Sequence, residues 1–165
     1  MIDRSALTTE FEEAIGDLER ALRECPDDLW EASAWRVKKT DAWVWPREGV
    51  TPVPERTEES IQSLSAVWVV AYHCLWFLDF YTSTGEGFES PEYVRGGPEE
   101  QGMAADGAAR LPAPVYPREV LLRYLDHGRR KVRHTIATIS EEELRAVCVR
   151  PGTPTAARPS NSSWK

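Results

Sequence analysis

Histidine and cysteine are scarce in this chain, three of each among 165 residues. Cys25, Cys74 and Cys148 are odd in number and far apart, so they build no disulfide framework. None of them forms the CxxC spacing of a zinc knuckle. The GxGxxG, P-loop, GxSxG and HExxH patterns are missing as well. That removes the dinucleotide, nucleoside-triphosphate, α/β-hydrolase and zincin readings those motifs carry. Positive charge is in deficit: 20 Lys+Arg stand against 27 Asp+Glu, a net charge of −7. Such a balance argues against a dedicated nucleic-acid binder, which would be basic. No basic segment followed by an apolar stretch opens the chain, so no cleaved leader is expected and a reducing cytoplasm is the expected compartment.

Long apolar runs are also lacking, with one near miss. Ala66 to Tyr81 is a run of sixteen residues interrupted only by His73 and Asp79. A membrane span needs about 20 apolar residues and tolerates ionisable groups poorly. The run therefore reads as a soluble helix buried on more than one side, and no membrane partner is expected.

What is present is a globular composition, 41% hydrophobic and 28% charged, in a length that suits one domain. Three long helices are predicted. Residues 9–24 carry Phe11, Ala14, Ile15, Leu18, Ala21 and Leu22 at helical spacing; Thr9 and Glu12 fit a capping box, and Cys25-Pro26 ends the run. Residues 58–82 form the apolar second helix. Residues 117–139 place Leu121, Tyr124, Leu125, Gly128, Val132, Ile136 and Ile139 on one stripe, with Pro117 in the first turn. Ser140 and Glu143 suggest a short fourth piece over 140–147. Residues 1–149 are read as the helical domain and 150–165, with three prolines and no apolar stripe, as a disordered or aberrant tail.

Between the helices lie two connections. Residues 27–56 hold four of the seven tryptophans and several prolines, and read as a packed connection over a bundle end. Residues 84–115 are too long for an ordinary loop and read as a crossover or a lid. Charge is divided as well. Met1 to Glu31 has ten acidic and three basic residues, whereas Arg118 to Arg133 has six basic and two acidic. An acidic first helix facing a basic third helix is the simplest use of that asymmetry; a nucleic-acid patch is the sharper alternative, but the basic run lacks interleaved aromatics.

Any metal or acid–base chemistry falls to the histidines. His127 and His134 lie seven residues apart, about 10.5 Å along a helix axis, too far to share one ion, and are expected to face solvent on a basic surface. His73, in the middle of the apolar helix, is expected to be buried and to need a hydrogen-bond partner or a metal.

The stretch Ala71-Tyr72-His73-Cys74-Leu75-Trp76-Phe77-Leu78-Asp79-Phe80-Tyr81 resembles the DinB/YfiT-like superfamily. So do the pattern of the first helix, Lys38 to Trp45, the Gly87-Phe88 loop, and Tyr116 to Lys131 with its Tyr-Leu-x-x-x-Arg-Arg-Lys run. The resemblance spans about Thr9 to Val149. It implies an all-α, up-down four-helix bundle with a long crossover. It also implies a divalent metal, zinc or nickel, held by three histidines. His73 matches the ligand from the second helix. The other two family ligands stand as H-x-x-x-H on a fourth helix, which has no counterpart here; His127 and His134 are on a different helix and do not replace them. The family includes thiol-dependent S-transferases, isomerases and hydrolases, so a small-molecule or thiol substrate is implied, though not which one.

The departure suggests a frameshifted or truncated end: synonymous codons for Arg158 to Lys165 can be read in another frame as an apolar helical start. The expected protein is an incomplete bundle whose metal site is weak or absent in this chain, with a non-catalytic helical interaction module as the alternative. An open apolar side on the second helix predicts a homodimer or poor solubility.

Overall fold

The computed structural model describes residues 3–38, 58–83, 90–94 and 115–142. Among them the chain is all-helical, with three long helices, a short one, and no strand beyond a single isolated bridge. Trp43, Trp45, most of the 84–115 connection, the fourth piece beyond residue 142, and the 150–165 tail lie outside the described residues.

Helix α1 runs Arg4–Glu24. Its cap is Asp3, whose carboxylate accepts from the backbone N–H groups of Ser5 and Ala6 at 2.9 and 3.1 Å. The expected Thr9–Glu12 capping box is not used; Thr9 is already inside the helix and its hydroxyl bonds back to the Ser5 carbonyl. Asp3 wins because a charged acceptor six residues earlier satisfies two orphan donors, and nothing in Ser5–Thr8 breaks the helix. The helix ends as expected, at Cys25 before Pro26.

The predicted second helix is interrupted. Helix α2 covers Glu58–Ser63, and helix α3 covers Val67–Tyr81. Ser65 sits in the break, fully buried, with its hydroxyl donating to the Trp35 carbonyl at 2.7 Å. Helix α3 has no side-chain cap. Its first N–H groups are taken instead by the connection after α1: Val67 donates to the Ala32 carbonyl and Trp68 to the Trp30 carbonyl, while Ala34 donates to the Ser65 carbonyl. A continuous helix would have forfeited these bonds, which is why periodicity alone overran the break.

Helix α4 runs Arg118–Thr138, with Pro117 as its N-cap rather than inside its first turn. It buries Leu121, Tyr124, Leu125, Gly128, Val132 and Ile136, the stripe expected from the sequence. Helix α4 is central, packing against both α1 and α3. Its end is tied to α1 by the Arg4 guanidinium, which donates to the Ile136 and Ile139 carbonyls. These are two of the carbonyls a helix terminus leaves without partners.

The acidic and basic helices do face each other. Arg129 reaches Glu19 at 2.6 Å and Glu12 at 3.5 Å, and Arg133 also pairs with Glu12. Trp30 is buried where the connection crosses the core, its indole donating to the Tyr116 carbonyl at 2.9 Å with Arg118 over its ring. Trp35, by contrast, is exposed.

Candidate functional site

Helix α3 carries chemistry on two opposite sides. Its inner side buries Trp68, Ala71, Tyr72, Leu75 and Trp76 against the core, and then, at the same register, Asp79. Its outer side carries Val67, Val70, His73, Cys74, Phe77 and Tyr81. Of these, Val67, Val70 and Phe77 are half-buried and His73, Cys74 and Tyr81 are exposed. The apolar character of the run predicts burial on more than one side; the structure encloses only the inner side, and the outer side is half-buried to exposed.

His73 is therefore not the buried residue that its apolar neighbours in sequence suggested. A helix covered on one side turns a central residue outward when it lies off the packed stripe, whatever the mean hydropathy of the helix. The imidazole rests edge-on against Phe77, ring centroids 4.7 Å apart. Cys74 beside it is exposed, yet neighbouring atoms withhold water from the thiol and push its pKa above the ordinary value.

The inner acid, Asp79, is fully buried and the centre of a polar cluster between α3 and α4. One carboxylate oxygen, Oδ2, accepts the Tyr124 hydroxyl at 3.0 Å. The other, Oδ1, receives the Lys131 ammonium and lies 3.2 Å from His127 Nε2. Lys131 also donates to the Asp79 carbonyl at 3.0 Å and to the Ser83 hydroxyl at 2.7 Å. Tyr124, His127 and Lys131 recur at three- and four-residue spacing, so one face of α4 presents all three to one acid. Burial, reinforced by the Asp79 charge, holds the Tyr124 phenol far above its ordinary pKa. Ser90, from the segment at 90–94, also hydrogen-bonds Tyr124. The Tyr93 ring of that segment covers Arg123 at 4.0 Å.

This cluster corrects the expectation for His127, which is half-buried and tied to Asp79; His134 is exposed. The cluster was missed because Asp79 read only as an interruption of an apolar run. The signal was there: a lone acid on a packed helix calls for a donor set, and Tyr124, His127 and Lys131 share the facing stripe.

The resemblance implies a three-histidine metal site. Among the described residues no group of three or more His, Cys, Asp or Glu side chains could hold an ion. The described residues of one chain therefore do not fit the group, and His73 with Cys74 supplies only part of a ligand set. Nor is any helix among them long and apolar enough to cross a membrane.

No known relative decides the matter. The chain matches no family model, no curated protein and no solved structure.

Proposed function

We propose that the chain is a DinB-like helical protein, related to metal-dependent hydrolases and thiol S-transferases, with His73 as its metal-ligating residue. The observation that carries this reading is the position of His73: an imidazole at mid-helix, exposed, on the open and otherwise uncharged side of α3. In that position the imidazole is open to an ion from solvent. One imidazole does not make a tight site, since catalytic zinc sites use three protein ligands and a water. One chain alone thus binds a divalent ion weakly and turns over no substrate efficiently. The up-down four-helix-bundle type belongs to the same proposal; three long helices centred on α4 are compatible with it.

Zinc titration of the purified monomeric chain, followed calorimetrically, tests the reading. Weak binding that disappears in His73→Ala supports it. One chelator-resistant ion per chain, or weak binding unchanged by His73→Ala, contradicts it.

A second reading, a non-catalytic helical interaction module, is favoured by the apolar outer side of α3, where Tyr81 is 75% exposed. Retention of all partner binding by His73→Ala would favour that module.

A further inference from the structure

We propose that His127, positioned by Asp79, is a general base for the hydrolysis of small anionic esters at the solvent edge of the polar cluster between α3 and α4. This site lies on the opposite side of α3 from His73 and does not rest on the reading of that residue.

Asp79 is fully buried, yet one of its partners reaches water: the His127 side chain keeps 32% of its exposure. His127 Nε2 lies 3.2 Å from Asp79 Oδ1. A carboxylate accepts and does not donate, so Nε2 carries the proton of the neutral ring and Nδ1 carries the lone pair. Nδ1 makes no hydrogen bond among the described residues. The acid cannot turn away from the ring, because the Tyr124 hydroxyl holds Oδ2 at 3.0 Å and the Lys131 ammonium holds Oδ1. Burial, reinforced by the Asp79 charge, keeps the Tyr124 phenol protonated and therefore a donor. Lys131 supplies the counter-charge and Tyr124 fills the second oxygen, so Asp79 is satisfied without the imidazole. What the contact adds is a fixed ring orientation and a fixed tautomer, the service an acid performs in an acid–histidine pair.

The charges beside His127 select the substrate class. Arg123 and Arg130 stand four residues before it and three after, on the same side of α4. The Arg123 guanidinium is held over the Tyr93 ring at 4.0 Å. Arg130 uses only Nε, on the Asp126 carbonyl at 3.3 Å, and its terminal nitrogens make no bond among the described residues. Asp126, next to His127 in sequence, is drawn to Arg129 at 3.2 Å. Two guanidiniums flanking one imidazole suit an ester that also carries a carboxylate, and their charge favours the oxyanion that forms during the reaction. Water is the only co-reactant. Nδ1 takes a proton from water as the water oxygen bonds to the ester carbonyl carbon. The tetrahedral oxyanion then collapses, the bond to the leaving oxygen breaks, and the proton on Nδ1 passes to that oxygen. A carboxylic acid and an alcohol leave, and the ring returns to its starting tautomer.

The test is hydrolysis of mono-para-nitrophenyl glutarate by the full chain, with para-nitrophenyl acetate as the uncharged comparison. The expected result is turnover above that of free imidazole at the same concentration, with the glutarate ester preferred. His127→Gln should lower kcat/KM about 100-fold, the low end of what a positioned base contributes. His134→Gln, exposed on the same helix, should change nothing. Arg130→Gln should weaken the preference for the anionic ester. Asp79→Asn should lower kcat more than it alters KM, and the nitrogen-15 resonances of His127 should pass from the Nε2-protonated form to mixed tautomers. Loss in neither histidine variant, or equal loss in both, overturns the proposal, because any exposed imidazole attacks such esters slowly. Equal rates on the two esters overturn the anionic substrate class. If His127→Gln loses its helical circular dichroism spectrum, the wild-type chain decides: a neutral His127 ring protonated on Nε2 supports the proposal, and one protonated on Nδ1 overturns it.

Discussion

Replacing Asp79 with alanine should be the most damaging single polar substitution in the described core. Asp79 and Tyr124 are both fully buried, and removal of the carboxylate takes the acceptor from the Tyr124 hydroxyl, the Lys131 ammonium and His127 Nε2. Breaking a buried charge pair by deleting one partner costs about 3–5 kcal/mol when the other charge is stranded. Here Lys131 and His127 retain 25% and 32% of their side-chain exposure, so water can relieve part of the loss. Lys131 also keeps the Ser83 hydroxyl and the backbone carbonyl of residue 79. The expected loss is accordingly about 2–4 kcal/mol. With a urea m-value of about 2 kcal/mol/M, the midpoint should fall by about 1–2 M at unchanged slope. Asp79→Asn, which keeps an acceptor for Tyr124, should lose less. Replacing the group together, Asp79→Leu with Tyr124→Phe and Lys131→Met, should recover much of the loss, because only His127, which water reaches, is left without its acceptor. A fall below about 0.5 kcal/mol for Asp79→Ala, the range of ordinary surface substitutions, would refute the claim that this cluster is buried and mutually dependent.

Two further outcomes follow from the helix contacts. Hydrogen bonds from Arg129 first, and Arg23 second, hold the Glu19 carboxyl below its ordinary value of 4.5. The unfolded chain therefore takes up that proton first as the pH falls. The contribution of Glu19 should be complete above about 4.5, decline as the pH drops through the lower folded-state value, and vanish from the acid-denaturation profile in Glu19→Gln. The two helical glycines should part company in thermal melts. Gly16→Ala meets open space and should stabilise by about 0.5–1 kcal/mol through helix propensity. At Gly128 a Cβ would stand 2.9 Å from Leu78 Cδ2, so alanine should gain little and Gly128→Val should destabilise.

Much of the fold could be read from spacing. The α4 stripe, an open apolar side on the apolar helix and the pairing of acidic α1 with basic α4 all follow from period and charge. These properties are local or depend only on which side of a helix a residue occupies. The misses have a common origin in contacts between distant segments. The break at Ser65 and Ala66 depends on carbonyls from Trp30 and Ala32, which no window around residue 65 contains. The outward turn of His73 depends on which side of α3 the core occupies, and the half-burial of His127 depends on Asp79, forty-eight residues earlier. Hydropathy averages over the very direction that decides whether an imidazole is enclosed or offered to solvent.

The most direct test of the account is which imidazole takes the metal. Chains labelled with nitrogen-15 at histidine, held monomeric by dilution, can be titrated with cobalt(II) while the three imidazoles are followed by nuclear magnetic resonance. Ring resonances of His73 should shift and broaden first, with those of His127 and His134 little changed and the effect absent in His73→Ala. Paramagnetic shifts centred on His127 or His134, with His73 unmoved, would contradict the assignment of the outer side of α3 as the metal-ligating side.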